Sequence, residues 1–182
     1  ENVRNHLLGS AHASLEAAAN YCHSVGVTPV ILGDTVTGEA KDVALMQASM
    51  AREIYFYNAP FKKPVALLSG GECTVTIPSG IKGRGGRCTE FLLSLLAATD
   101  DLPTLAALAA DTDGIDGSED NAGGWFDSSI RRIAESKRIL AKKYLADHDA
   151  YGFFKEARAL VETGPTLTNV NDFRILLIDS ES

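Results

Sequence analysis

Four short apolar runs, separated by stretches of helical periodicity, constrain how this chain can fold. The runs are rich in Val, Ile, Leu and Ala, as buried strands are, and they lie at residues 28–32, 64–68, 105–110 and 173–178. Between them, apolar side chains recur at helical spacing or fill the stretch, at residues 11–25, 39–55, 90–98 and 128–161. This alternation predicts an α/β fold, a three-layer α/β/α sandwich with a mostly parallel, mixed sheet.

Three segments need further interpretation. Residues 3–8 are predicted as an additional strand, and residues 73–77 alternate Thr and Val, which predicts a hairpin partner for the strand at 64–68. The run at 105–110 also has the composition of a helix. We interpret it as a strand because an Asp-Thr-Asp-Gly loop follows it directly.

Size, charge and cysteine content exclude several classes of function. The 182 residues suffice for one domain, residues 1–182, and the net charge of −7 argues against a nucleic-acid partner. No apolar run reaches the ~18 residues of a membrane span. The three cysteines, Cys22, Cys73 and Cys88, lack paired or C-x-x-C spacing, which predicts free thiols in a reducing cytoplasm. The chain lacks an initiator Met, so we expect it to be a piece of a longer protein. The sequence leaves open whether the protein forms a homodimer.

The stretch at residues 83–90 concentrates glycine and arginine before a helix. Gly83, Gly85 and Gly86 allow close backbone approach, and Arg84 and Arg87 can grip phosphate or carboxylate oxygens bidentately. The N-terminus of the following helix adds unpaired N–H groups and a positive dipole end. The stretch therefore fits an anion site, and equally a glycine-rich surface turn with solvated arginines.

Four polar loops are predicted at the ends of strands, where ligands bind in α/β sheets. They are residues 69–72, 83–89, 111–117 and 164–172. Asp111, Asp113 and Asp116 are spaced partly like a calcium loop, but the twelfth position is Ala122, which excludes an EF-hand. Mg²⁺ held by one carboxylate and substrate phosphates stays possible, as does a turn-forming or helix-capping role for each aspartate. Neither a P-loop nor a G-x-G-x-x-G nucleotide motif is present.

In order and spacing, the four loops resemble the MOFRL region, the C-terminal part of class II glycerate kinases, a family also labelled hydroxypyruvate reductase. The resemblance runs from about residue 65 to 182, and residues 1–60 are similar to the segment just upstream in that family. One departure is Cys88-Thr89, where many relatives carry Asn-Gln. The family's full chain is about twice as long, with a larger Rossmann-like domain in front and the active site between the two domains.

The resemblance implies ATP-dependent phosphorylation of D-glycerate, with ATP and Mg²⁺ as cofactors and the N-terminal domain of the same chain as partner. It implies catalytic roles for Arg87, Arg84 and Asp113, and Mg²⁺ ligands at Asp111 and Asp116. The residues expected to bind substrate or nucleotide are Gly70, Gly71, Glu72, Gly85, Gly86, Glu90, Thr112, Gly114, Thr168, Asn169 and Asp172. Two alternatives stay open: an NAD(P)H-dependent hydroxypyruvate reductase, and a non-enzymatic anion-binding module.

Overall fold

The computed structural model describes residues 9–179, so the strand expected at residues 3–8 lies outside the described part. The strands are β1 Thr28–Gly33, β2 Gly38–Glu39, β3 Val65–Gly71, β4 Cys73–Thr74, β5 Ala106–Asp111, β6 Gly123–Phe126, β7 Leu160–Val161 and β8 Asp172–Ile178. The helices are α1 Ala11–Ser24, α2 Ala40–Tyr57, α3 Arg87–Ala98, α4 Ser128–Lys137, α5 Ala141–Ala146 and α6 Ala150–Ala157. The four predicted apolar strands are therefore confirmed. No helix within residues 9–179 is long and apolar enough to cross a bilayer.

The main sheet has six strands in the order β1-β3-β8-β5-β6-β7. The α/β class and the mixed sheet are confirmed, but the expected majority of parallel pairs is not found. Among the described strands of this sheet, β1 and β3 pair in parallel, and the other four neighbouring pairs are antiparallel. The reason is that β8 runs back between β3 and β5, and β6 follows β5 through a loop instead of a crossover helix.

The chain after β3 also differs from the prediction. Residues 73–77 do not form a hairpin with β3; β4 pairs in parallel with β2 in a separate two-stranded sheet. After the polar loop at 111–117 the chain enters a strand that was not predicted, β6, whose Gly123-Gly124 start is typical of a turn. A Cβ on Gly123 would lie 2.0 Å from the Ala109 carbonyl oxygen, so the glycine there permits close strand packing.

Helices lie on both faces of the sheet, with the main core on one side. Buried side chains of α2, α3 and α6 pack with Val65 and Leu67 of β3 and with Leu176 and Ile178 of β8. Helix α1 lies against β1, β3 and β8 and buries Leu15. Residues 88–96 of α3 are all buried, as its apolar composition predicts. The rigid centre thus carries β3, α3, β5 and β8, whose ends bear the polar loops.

Candidate functional site

Strand register brings three of the four polar loops to one edge of the sheet. Asp172, the first residue of β8, pairs with Gly71 at the end of β3 on one side and with Asp111 at the end of β5 on the other. Two carboxylates from distant parts of the sequence therefore lie side by side. Arg87, in the first turn of α3, faces this pair.

Arg87 is held by three carboxylates. Its Nε donates to Asp172 Oδ1 at 2.8 Å and its Nη2 donates to Asp111 Oδ2 at 2.6 Å. Its Nη1 lies 3.4 Å from Glu72 Oε1, and the Glu72 side chain is 61% exposed whereas that of Arg87 is 23% exposed. We call Arg87, Glu72, Asp111 and Asp172 the Arg87 cluster. Glu72 is its most solvated and most loosely bound member, so the cluster opens to solvent on the Glu72 side.

The pKa values of two members of the Arg87 cluster, Arg87 and Asp111, are shifted. Burial acts to lower the pKa of Arg87, but the carboxylates of Asp172 and Asp111 more than offset this and raise it. Burial is the main cause that raises the pKa of Asp111 from 3.8 to about 6, against the lowering effects of the Asp113 N–H and of Arg87. Arg87 is therefore a permanent cation, and Asp111 can change its charge near neutral pH.

The N-terminus of α3 already binds an anion, the protein's own Asp116. Asp116 is fully buried; its Oδ1 accepts from Cys88 N at 2.9 Å, and its Oδ2 accepts from Thr89 N and Thr89 Oγ1, both at 2.8 Å. A Cβ on Gly86 would lie 2.3 Å from Asp116 Oδ1. The expectation that this stretch cradles a ligand anion is therefore corrected, because Gly86 packs against Asp116 and the N–H groups of Cys88 and Thr89 donate to the Asp116 carboxylate.

Two predicted site residues near this helix lie outside the Arg87 cluster. Arg84 stacks over the ring of Tyr151 at 4.7 Å and its Nε lies 3.2 Å from Glu119 Oε1. Glu90 is buried with an oxygen 3.2 Å from Nδ1 of His148, and burial raises the pKa of Glu90. The structure therefore does not bring Arg84 and Glu90 to Arg87, although they share its loop and helix.

The fourth polar loop is attached to the loop after β5. Thr112 Oγ1 donates to Asn171 O at 2.7 Å and accepts from Val170 N at 2.8 Å. A Cβ on Gly114 would lie 2.1 Å from the Gly164 carbonyl oxygen, so the glycine at 114 is needed for this contact. Thr112 and Gly114 thus serve the loop packing.

The tip of that fourth loop carries two further predicted residues. Thr168 and Asn169 are exposed, and Asn169 Oδ1 accepts from Asn171 N at 3.0 Å. Asp113 is half-buried, and its Oδ1 accepts from Ile115 N at 2.8 Å. These side chains lie near the Asp111 end of the sheet, with Thr168 and Asn169 exposed and Asp113 half-buried.

The carboxylates of both predicted Mg²⁺ ligands are engaged in contacts within the protein. Both oxygens of Asp116 accept protein hydrogen bonds, and Asp111 Oδ1 accepts from Asp113 N at 3.1 Å while its Oδ2 binds Arg87. Across residues 9–179, no group of three or more His, Cys, Asp or Glu side chains is arranged to hold a metal ion.

The sequence interpretation missed Arg174. It lies in β8, two residues after Asp172, and it is the largest fully buried side chain of the described residues. Its Nη2 donates to Asp172 Oδ2, and its guanidinium lies 5.5 Å from the ring centre of Phe91. The available signal was the strand alternation, which places Asp172, Arg174 and Leu176 on the same face.

Comparison with known proteins identifies the family. The MOFRL family model matches residues 65–172, and the chain belongs to the MOFRL family. Its relatives include the glycerate 2-kinase of Pyrococcus horikoshii, 41% identical over 99% of this chain and 40% of that protein. A protein of Agrobacterium vitis with a provisional hydroxypyruvate reductase name is 45% identical over 94% of this chain and 45% of its own length.

A solved structure shares the fold. The crystal structure of a glycerate kinase from Thermotoga maritima superposes with a TM-score of 0.89 at 35% identity, covering 98% of this chain and 42% of that one. The chain thus spans less than half the length of the relatives that it matches.

Proposed function

We propose that this chain is the C-terminal domain of an ATP-dependent D-glycerate kinase. In this proposal, the phosphoryl group passes from ATP to glycerate in a cleft that the chain shares with a larger N-terminal domain. The observation that carries the proposal is the Arg87 cluster, a fixed and partly exposed guanidinium where the loops after β3 and β5 meet the start of β8. The names of the relatives support glycerate as the substrate.

Phosphoryl transfer needs a cation placed against the charge that develops on the transferred group. Arg87 supplies a permanent charge, and its Nη1 points to the exposed, loosely bound Glu72. A phosphate oxygen can take the place of the Glu72 carboxylate there, while Asp111 and Asp172 keep the guanidinium in position. Asp113 is our candidate to accept the proton of the glycerate hydroxyl, and Thr168 and Asn169 are candidates to bind substrate.

The cofactors of the proposal are ATP and Mg²⁺. Because Asp111 and Asp116 use their oxygens within the protein, we expect Mg²⁺ to bind through the phosphates of ATP and through water. No step is assigned to the metal. The 182-residue chain without a partner domain is expected to be inactive.

The test is a product assay with the complete protein, D-glycerate and ATP, in which ADP and phosphoglycerate are measured. Arg87→Ala is expected to lower kcat/KM by about 100-fold or more, the usual cost of removing a preorganised donor in a transition state. Arg52→Ala is the matched control, because Arg52 also pairs with a carboxylate, at 2.7 Å from Asp101, but on α2 away from the cluster.

Hydroxypyruvate reduction is the second candidate, favoured by the name of the Agrobacterium vitis relative. The same preparation is therefore incubated with hydroxypyruvate and NAD(P)H. Consumption of NAD(P)H without formation of ADP from D-glycerate and ATP would replace the kinase proposal with the reductase.

A further inference from the structure

Arg174 contacts the groups on both sides of the Arg87 cluster from inside the protein. Its Nη1 donates to Gly70 O at 3.1 Å, and its Nη2 lies 3.2 Å from Cys73 Sγ and donates to Asp172 Oδ2. Gly70 and Cys73 flank the Gly71-Glu72 pair in the sequence. One guanidinium thus joins the turn that carries Glu72 to the start of β8 that carries Asp172.

We propose that Arg174 is a positioning residue that holds Arg87 in its working orientation. Asp172 is the link, since its Oδ1 accepts from Arg87 and its Oδ2 accepts from Arg174. With both oxygens engaged, the Asp172 carboxylate cannot rotate, and the direction of the Arg87 Nε–H is set. The role in catalysis rests on the proposed function, whereas the link between the two arginines does not.

Stability alone does not explain an arginine at this place. Arg174 and the Asp172 side chain are both 0% exposed, and desolvating such a pair costs several kcal/mol, so that apolar residues of similar volume are often as stable. Arg174 Nε also lacks a hydrogen-bond partner among the described residues, a further cost for a buried donor. A position selected only for packing would carry a Leu or Met on this inward face.

The charge of Arg174 also matters to an anion that approaches Arg87. The Arg87 cluster has one cation and three carboxylates, and Arg174 adds the second cation. Replacing Arg174 by Met would remove both the charge and the fork of donors. Replacing it by Lys would keep the charge and lose the fork, so the two variants separate electrostatics from geometry.

The experiment is a double-mutant cycle in the complete protein, with steady-state kinetics of phosphoglycerate formation. Arg174→Met is expected to lower kcat by at least about tenfold with KM for D-glycerate changed by less than about threefold, and Arg174→Lys to give an intermediate kcat. In an Arg87→Ala background, Arg174→Met is expected to add less than about twofold, because its effect passes through Arg87.

Arg131→Met is the control for loss of a largely buried arginine, whose side chain is 12% exposed. Arg131 Nη2 donates to Thr99 Oγ1 at 2.9 Å and its guanidinium stacks over Phe126 at 4.9 Å, in contacts separate from the cluster. It is expected to lower the melting temperature and to keep kcat within about twofold. Equal losses of kcat in Arg131→Met and Arg174→Met, or independent effects of Arg87→Ala and Arg174→Met, would overturn the proposal.

A second readout does not depend on activity. The NMR signal of the Arg87 Nε–H is expected to shift and to exchange faster with solvent in Arg174→Met or Arg174→Lys, and to stay in place in Arg131→Met. If the unsubstituted protein forms no phosphoglycerate, the proposed function fails while this measurement still decides the link. An unchanged Arg87 signal in the Arg174→Lys variant would refute the link, including where Arg174→Met does not fold.

Discussion

Replacing Asp116 by Ala should destabilise the protein far more than removing an ordinary helix cap. The substitution deletes the acceptor of three hydrogen bonds and leaves the N–H groups of Cys88 and Thr89 buried without a partner. Each unpaired buried donor costs about 1–3 kcal/mol. Part of this cost is offset, because the variant no longer buries a carboxylate. We expect a net loss of about 3 kcal/mol in the free energy of unfolding.

Asp127→Ala is a closely matched control. Asp127 Oδ1 also accepts three hydrogen bonds, from Ser129 N at 2.7 Å, Ser129 Oγ at 2.6 Å and Ile130 N at 3.0 Å. Asp127 is half-buried, however, so water can replace the carboxylate, and the expected cost is the usual ~1 kcal/mol of an N-cap. The pair of variants thus differs mainly in burial.

Urea denaturation followed by far-UV circular dichroism gives the free energy of unfolding of each variant. Equal m-values would show that the substitutions do not change the compactness of the native and denatured states. A repeat with added MgCl₂ should shift the midpoint of the unsubstituted protein and of Asp116→Ala equally. An Asp116→Ala cost no larger than that of Asp127→Ala, or a stabilisation by Mg²⁺ that needs Asp116, would refute the capping role.

Three further outcomes follow from the geometry of the site. Gly86→Ala should lower the unfolding midpoint strongly or prevent folding, because its Cβ would lie 2.4 Å from the Asp116 backbone carbon; expression and thermal melts check this. Because the pKa of Asp111 is raised to about 6, its stabilising effect is present at low pH and is lost as the pH rises through 6. Between pH 5 and pH 8, the unsubstituted protein should lose about 1 kcal/mol more unfolding free energy than Asp111→Asn, whereas parallel curves would contradict the raised pKa. Arg84→Ala should reduce kcat/KM for phosphoryl transfer far less than Arg87→Ala, since the Arg84 side chain is 46% exposed and lies outside the cluster.

The parts of the fold that follow from local pattern could be predicted, and those that depend on strand direction could not. The apolar runs identified β1, β3, β5 and β8 because a short apolar run can be recognised without knowledge of the neighbouring strands. The antiparallel insertion of β8 has no local signal, since the same alternation suits either direction. Strand β6 was not predicted because its Gly-Gly start is typical of a turn. Close packing in the sheet requires these glycines.

The residues of the candidate site also divide into those that local pattern predicts and those that depend on distant contacts. Arg87, Glu72, Asp111 and Asp172 could be named from polar loops at strand ends, and the structure brings them together. A helix-capping role was one of the open alternatives for Asp116, and the sequence could not select it because the Cys88 N–H that Asp116 accepts from lies 28 residues away, outside any local capping pattern. Arg174 was missed because an arginine inside an apolar strand is easily taken for an exposed one.

The central place of β8 has a consequence for synthesis of the protein on the ribosome. Before Asp172–Ile178 emerges, β3 and β5 each expose an unpaired edge, which is a template for association with other chains. The contact between Arg174 and Gly70 then closes a separation of 104 residues, which makes sheet completion a late and slow event. We therefore expect nascent chains to need protection by chaperones until β8 inserts, and Arg87 to gain Asp172 as a partner only at that moment.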